Sequence, residues 1–176
     1  MKLKLLVCTL LITLSLCSCK GSDINDLKIY VIPSTDISQA LTDGEIVNAV
    51  KNSGRLVFEG SDIDGYNWEN HTLKFNSDSI ISHGKVTKES GGSRIFKVDD
   101  SYLFVIVIKN ELVYYGGFEH GSKNPSIPVE PCISDVDDYT VKLTYNAKYA
   151  TQNDKRSSQL LYDFFDKYNL FLSNVK

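Results

Sequence analysis

The chain has 176 residues, with 19 basic against 22 acidic side chains and a formal net charge of −3. A length of this order suits one globular domain with a core of its own. The acidic balance, with no basic stripe and no polybasic run, excludes the electrostatic footprint of a nucleic-acid binder and of a purely electrostatic membrane binder.

Lys2 and Lys4 precede an apolar run from Leu5 to Leu16. Spanning a bilayer takes about 20 apolar residues. The run is shorter, so it reads as a removable export signal. It ends in Leu16-Cys17-Ser18-Cys19. This stretch resembles the Leu-x-small-Cys lipobox of bacterial lipoproteins, with Ser18 just before the cysteine and Leu16 three places before it. Cys17 departs mildly from the small or β-branched residue usual between them. The resemblance covers only about the first 21 residues. It implies cleavage before Cys19, a diacylglyceryl group on its thiol, and a domain held outside the cytoplasm on the cell membrane or outer membrane. Lys20 in place of an Asp favours the outer membrane in enteric-type envelopes. Each buried methylene adds about 0.8 kcal/mol, so two or three acyl chains give a lasting anchor.

Cleavage leaves 17 basic and 22 acidic residues, a net charge of −5. Cys8 and Cys17 leave with the signal and Cys19 is capped. Cys132 is then the one remaining thiol, and the mature protein has no intrachain disulfide. The chain divides into a signal at 1–18, a lipidated tether at 19–26 and one domain at 27–176. The polar residues Lys20 to Asp26 reach at most about 25 Å, which keeps the domain near the bilayer.

In chain order, Leu27 to Ile32 reads as a strand stopped by Pro33. Thr42-Asp43-Gly44-Glu45 is a capping box, followed by a helical stripe of Ile46, Val47, Ala49 and Val50 and a C-terminal stop at Gly54. Leu56 to Phe58 and Thr72 to Phe75 read as short strands. Arg94 to Val98, Tyr102 to Ile108 and Leu112 to Tyr115 read as an antiparallel meander jointed at Asp99-Asp100 and Asn110-Glu111. Its middle strand is apolar throughout and is expected to be buried on both faces. Asn124 to Pro131 is a proline-rich loop. Tyr139 to Tyr149 alternates, with Tyr139, Val141, Leu143, Tyr145, Ala147 and Tyr149 on one face. Ser157 to Leu172 carries the strongest helical stripe, including Leu160, Leu161, Phe164, Phe165, Tyr168 and Phe171. The expected fold class is α+β: an antiparallel sheet with this amphipathic helix packed on one face.

The chemistry is sparse. The three histidines, His71, His83 and His120, sit in no metal motif, so no metal or other cofactor is expected. His83 to Arg94 is polar and Gly-rich, but its Gly84-Lys85 pair lacks the surroundings of a phosphate loop. Gly116-Gly117-Phe118-Glu119-His120-Gly121 either releases a strand or holds Glu119 and His120 at a cleft. Cys132 has two readings: a small apolar filler, or a nucleophile with His120 and Asp135. The stretch from Asp62 through Tyr66 and Trp68 to His71 is either a recognition surface rich in rigid aromatics or a turn whose aromatic rings plug the core.

Asp62, Tyr66, Trp68, His71, Glu119 and His120 thus form the candidate binding surface, and no catalytic residue is assigned. The function expected is a lipid-anchored binding module of the cell envelope. Its partners are the membrane through Cys19, and an envelope protein or a small ligand; nucleic acid is excluded. The competing class is an envelope hydrolase using His120 with Glu119 or Cys132, or His71 with Asp62.

Overall fold

The computed structural model describes residues 23–37, 41–82, 93, 95–98, 101–118, 131–145 and 153–172. The signal, Cys19, the loop at 83–92, Arg94, Glu119, His120, residues 124–130 of the proline-rich loop and residues 146–149 of the alternating run lie outside the described residues.

The strands are β1 (Leu27–Pro33), β2 (Arg55–Glu59), β3 (Ile63–Asn67), β4 (Thr72–Phe75), β5 (Tyr102–Ile108), β6 (Glu111–Phe118), β7 (Cys132–Asp135) and β8 (Thr140–Thr144). The helices are α1 (Asp43–Ser53), α2 (Ser77–Ser82) and α3 (Gln159–Lys167). The strands form one sheet in the order β2-β1-β5-β6-β7-β8-β4-β3. All its pairs are antiparallel except β6 with β7. The fold class is α+β.

The two edge strands are consecutive in the chain. Only Gly60–Asp62 separates β2 from β3, a link that spans at most about 15 Å. Laid flat, a sheet of this many strands would hold its edges about 34 Å apart. The sheet is therefore curled, and side chains from its two halves meet inside. Phe58 on β2 and Phe75 on β4 have ring centroids 4.2 Å apart. Gly60 sits at this join because a Cβ there would collide with the Ile24 carbonyl and the Phe164 ring.

β5 is an interior strand of the sheet, buried on both faces as its unbroken apolar sequence predicts. Phe104, Ile106 and Ile108 point into the large interior cluster, while Leu103, Val105 and Val107 pack against Ile46, Val47 and Val50 of α1. The capping box that starts α1 is formed: the Thr42 backbone N–H donates to Glu45 Oε2 at 2.8 Å, and the Glu45 N–H faces Thr42 Oγ1.

Several expectations are corrected. The β5–β6 turn is Lys109-Asn110, both at positive φ (51° and 68°), rather than Asn110-Glu111. Such a pair matches the twist of a two-residue hairpin. The residues expected as the first meander strand form a turn at 95–97 with one isolated bridge, Ser93 to Val98. Lys97 sits at φ 54°, which a strand does not accommodate, and Phe96 is fully buried against Phe58. β1 takes the place beside β5, paired in continuous register from Leu27 with Ile108 to Pro33 with Tyr102.

β6 runs on through Gly116 and Gly117 to Phe118. Gly116 has no room for a Cβ, because the Pro131 carbonyl lies against it; this glycine serves a close approach of the chain. On β8, Val141 and Leu143 point inward as the alternation predicts, but Tyr139 lies in the turn and is 39% exposed. The last helix is shorter than its stripe implies. Ser158 caps it, and Asn169 in the left-handed region lies just past its end. Leu161, Phe164 and Phe165 join the interior cluster. The chain then becomes extended, and Tyr66 on the β3 edge exchanges backbone hydrogen bonds with Leu170 and Leu172.

Candidate functional site

β3 and the turn after it bring Tyr66, Trp68 and His71 together. β3 was not expected as a strand, because Asp64 and Gly65 interrupt its apolar pattern. A register shift between Ile63 and Gly65 accommodates them. Tyr66 is fully buried, with its ring stacked on Phe165 at 4.8 Å and an interplanar angle of 6°. It is a core side chain and offers no surface to a ligand. Its hydroxyl lies 2.9 Å from His71 Nδ1 and 3.3 Å from the Arg156 carbonyl. A phenol carries one proton. Both contacts are satisfied when His71 Nδ1–H donates to the phenol oxygen and the phenol donates to the carbonyl.

His71 takes φ 56° in the β3–β4 turn, a region that His tolerates better than most residues. Its own carbonyl accepts from the Leu143 N–H at 2.9 Å. Burial, then the positive charge of Arg156, pushes its imidazole below the ordinary histidine pKa. Burial likewise pushes the Tyr66 phenol up. At neutral pH both groups are uncharged.

Asp154 and Arg156 complete the corner. Arg156 Nε and Nη2 donate to the two carboxylate oxygens of Asp154, each at 2.9 Å. Its Nη1 donates to the Leu143 carbonyl at 3.2 Å, and the guanidinium lies 5.5 Å from the centre of the Tyr145 ring. The bidentate bond to Arg156 holds the Asp154 carboxyl below its usual pKa. Both oxygens of this carboxylate are engaged by arginine.

Trp68 lies outside this buried network. It is half-buried, edge-on to Tyr162 at 5.2 Å and to Phe171 at 5.8 Å. Tyr162 is 39% exposed. The corner therefore has a polar interior that fixes the backbone and an aromatic rim that reaches solvent. Such a rim supplies contact area at little entropic cost.

The remaining candidates lie elsewhere. Asp62 precedes β3 at the far end of the β3–β4 hairpin, about 15 Å of strand from His71. Its carboxylate accepts from Ser79 Oγ at 2.6 Å and from the Glu59 N–H at 2.8 Å. Asp62 is a structural cap, and the His71–Asp62 pair is not formed. Cys132 is half-buried on β7 beside Gly117. Asp135, three residues on, points to the opposite side of the strand and accepts from Ser93 Oγ at 2.6 Å. That spacing argues against Asp135 as the acid of a Cys132 triad. Among the described residues, no cluster of three or more His, Cys, Asp and Glu side chains is suited to a metal ion.

Sequence reasoning missed Asp154, Arg156 and Tyr162, and it placed Phe171 on the helical stripe, whereas Phe171 lies beyond the helix in a bridge with Tyr66. Tyr162 is marked only as an aromatic on the polar side of a helical stripe. Arg156 has no local signal, since it meets Tyr66 from 90 residues away. Comparisons with protein-family models, curated proteins and solved structures gave no match.

Proposed function

We propose that this chain is an envelope lipoprotein, anchored through lipid on Cys19, whose α+β domain is an interaction module. In this reading α3 lies on one face of the curled sheet and presents Tyr162 beside Trp68 and Phe171 as the contact rim. The carrying observation for the module is that rim: a half-buried Trp and an exposed Tyr, edge to face, braced from behind by the Tyr66–His71–Arg156 network. The anchor is supported by the Leu16-Cys17-Ser18-Cys19 box. The first described residue, Asp23, follows Cys19 by four positions, so the domain works within about 14 Å of its lipid. The partner is an envelope protein or a small envelope ligand.

The anchor is tested by intact mass and membrane fractionation of the expressed chain. The expected result is a mature protein beginning at Cys19 with a diacylglyceryl mass and found with membranes, and a Cys19→Ser chain that is not processed. An unmodified Cys19 in a chain recovered from the soluble fraction would overturn the anchored reading.

A further inference from the structure

A second feature lies away from the aromatic rim. An open cleft of about 580 Å³ is bounded by the start of β1, the last turn of α1 and the β5–β6 turn. A volume of this size holds a small molecule. Three lysines line it, Lys28, Lys51 and Lys109, together with three acidic residues, Asp23, Asp26 and Glu59. Val47 and Val107 provide its apolar part.

Its walls are tied together. The Lys109 N–H donates to the Asp26 carbonyl at 3.1 Å, Asp23 Oδ1 accepts from the Asn25 N–H at 3.0 Å, and Asn25 Oδ1 accepts from the Ser61 N–H at 3.1 Å. Lys28 and Glu59 make a loose pair at 3.9 Å. Among the described residues, Lys51 and Lys109 have no carboxylate within salt-bridge distance. Two lysines without a carboxylate partner among the described residues thus border one cleft that acidic residues also line. The complementary ligand carries an anion for the lysines and an N–H-bearing cation for the carboxylates.

We propose that this cleft takes a phosphate-bearing zwitterion, the phosphoethanolamine headgroup of the membrane that holds Cys19. The membrane source rests on the anchored reading above. Asp23, at the cleft, is within about 14 Å of the lipidated residue, so headgroups are the small phosphate zwitterions at highest local concentration.

The experiment uses the full mature protein in detergent micelles, titrated with water-soluble glycerophosphoethanolamine and followed through the Lys109 and Asn110 amide resonances. Glycerophosphocholine, which has no N–H on its cation, and inorganic phosphate are the comparison probes. The expected result is saturable shifts with glycerophosphoethanolamine and weaker binding of both other probes. The exposed double change Lys51→Glu with Lys109→Glu should weaken binding by about tenfold or more. Absence of saturable shifts, or equal binding by the charge-reversed protein, would overturn the site. Inorganic phosphate binding as tightly as glycerophosphoethanolamine would overturn the zwitterion and point to free phosphate. The mass of Cys19 reads the anchor separately. Probe binding together with a mature wild-type protein whose Cys19 is found by mass to carry no lipid would overturn the membrane source, leaving a site for a soluble zwitterion.

Discussion

The β5–β6 hairpin and the Tyr66 corner are both buried, but they are held by different physics. β5 places Phe104, Ile106 and Ile108 in one apolar cluster and Leu103, Val105 and Val107 in another. Its side chains need only volume and register. The Tyr66 corner buries a phenol and a half-exposed imidazole, and it stays in place because each polar group has a named partner: His71, the Arg156 carbonyl, Leu143 and Asp154. The first arrangement tolerates little loss of volume. The second tolerates little loss of a partner. Only the second carries an aromatic rim to solvent, so specific polar contacts are spent where orientation matters.

The largest effect should come from the apolar region. Phe104→Ala removes a fully buried ring and should cost about 3–5 kcal/mol, read as a fall in the urea midpoint at unchanged slope. A cost near that of a surface change would mean that β5 is not the centre of the core. Tyr66→Phe keeps the stacked ring and removes one hydroxyl, leaving His71 Nδ1 and the Arg156 carbonyl short of a partner. It should cost about 1–3 kcal/mol in the same assay. A neutral result would show that the corner is held by stacking alone. Thr42→Ala, which removes the side-chain half of the α1 capping box, should cost about 1 kcal/mol. Its effect should add to that of Tyr66→Phe, since the two contact sets share no residue.

The smallest effect is a pH dependence. The folded pKa of His71 is depressed below its ordinary 6.5 by burial and by Arg156. Between the two values the unfolded chain binds more protons than the folded one, so stability rises with pH there. This contribution is whole above about pH 6.5 and is lost as pH falls through the folded value. Melting curves across that window should show the slope, and His71→Gln should flatten it. An unchanged slope in the variant would assign the dependence to other groups.

What was legible in the sequence follows the same division. The capping box of α1, the two-sided burial of β5 and the inward Val141 and Leu143 of β8 are local patterns, and each stands in the structure. The partner of β5 was misassigned because β1 and the run from Arg94 to Val98 are both short and rich in β-forming residues. Pairing between strands distant in sequence leaves no periodic mark. β3 was hidden by Asp64 and Gly65. At the site, Trp68 and His71 were singled out by residue type, but type does not distinguish a ring stacked in the core, as Tyr66 is, from one at the rim. Asp154 and Arg156 join the corner only through the fold.

The central claim is that the Trp68–Tyr162 rim is the contact surface of the domain. It is tested most directly by cross-linking the full protein in intact membranes, with partners identified by mass spectrometry, in wild type and in Trp68→Ala. The account predicts one dominant, near-stoichiometric partner in wild type, reduced by about tenfold or more in the variant, as for a hot-spot aromatic, while the variant remains folded by circular dichroism. The same partner captured equally by the folded variant, or none above background in wild type, would contradict it.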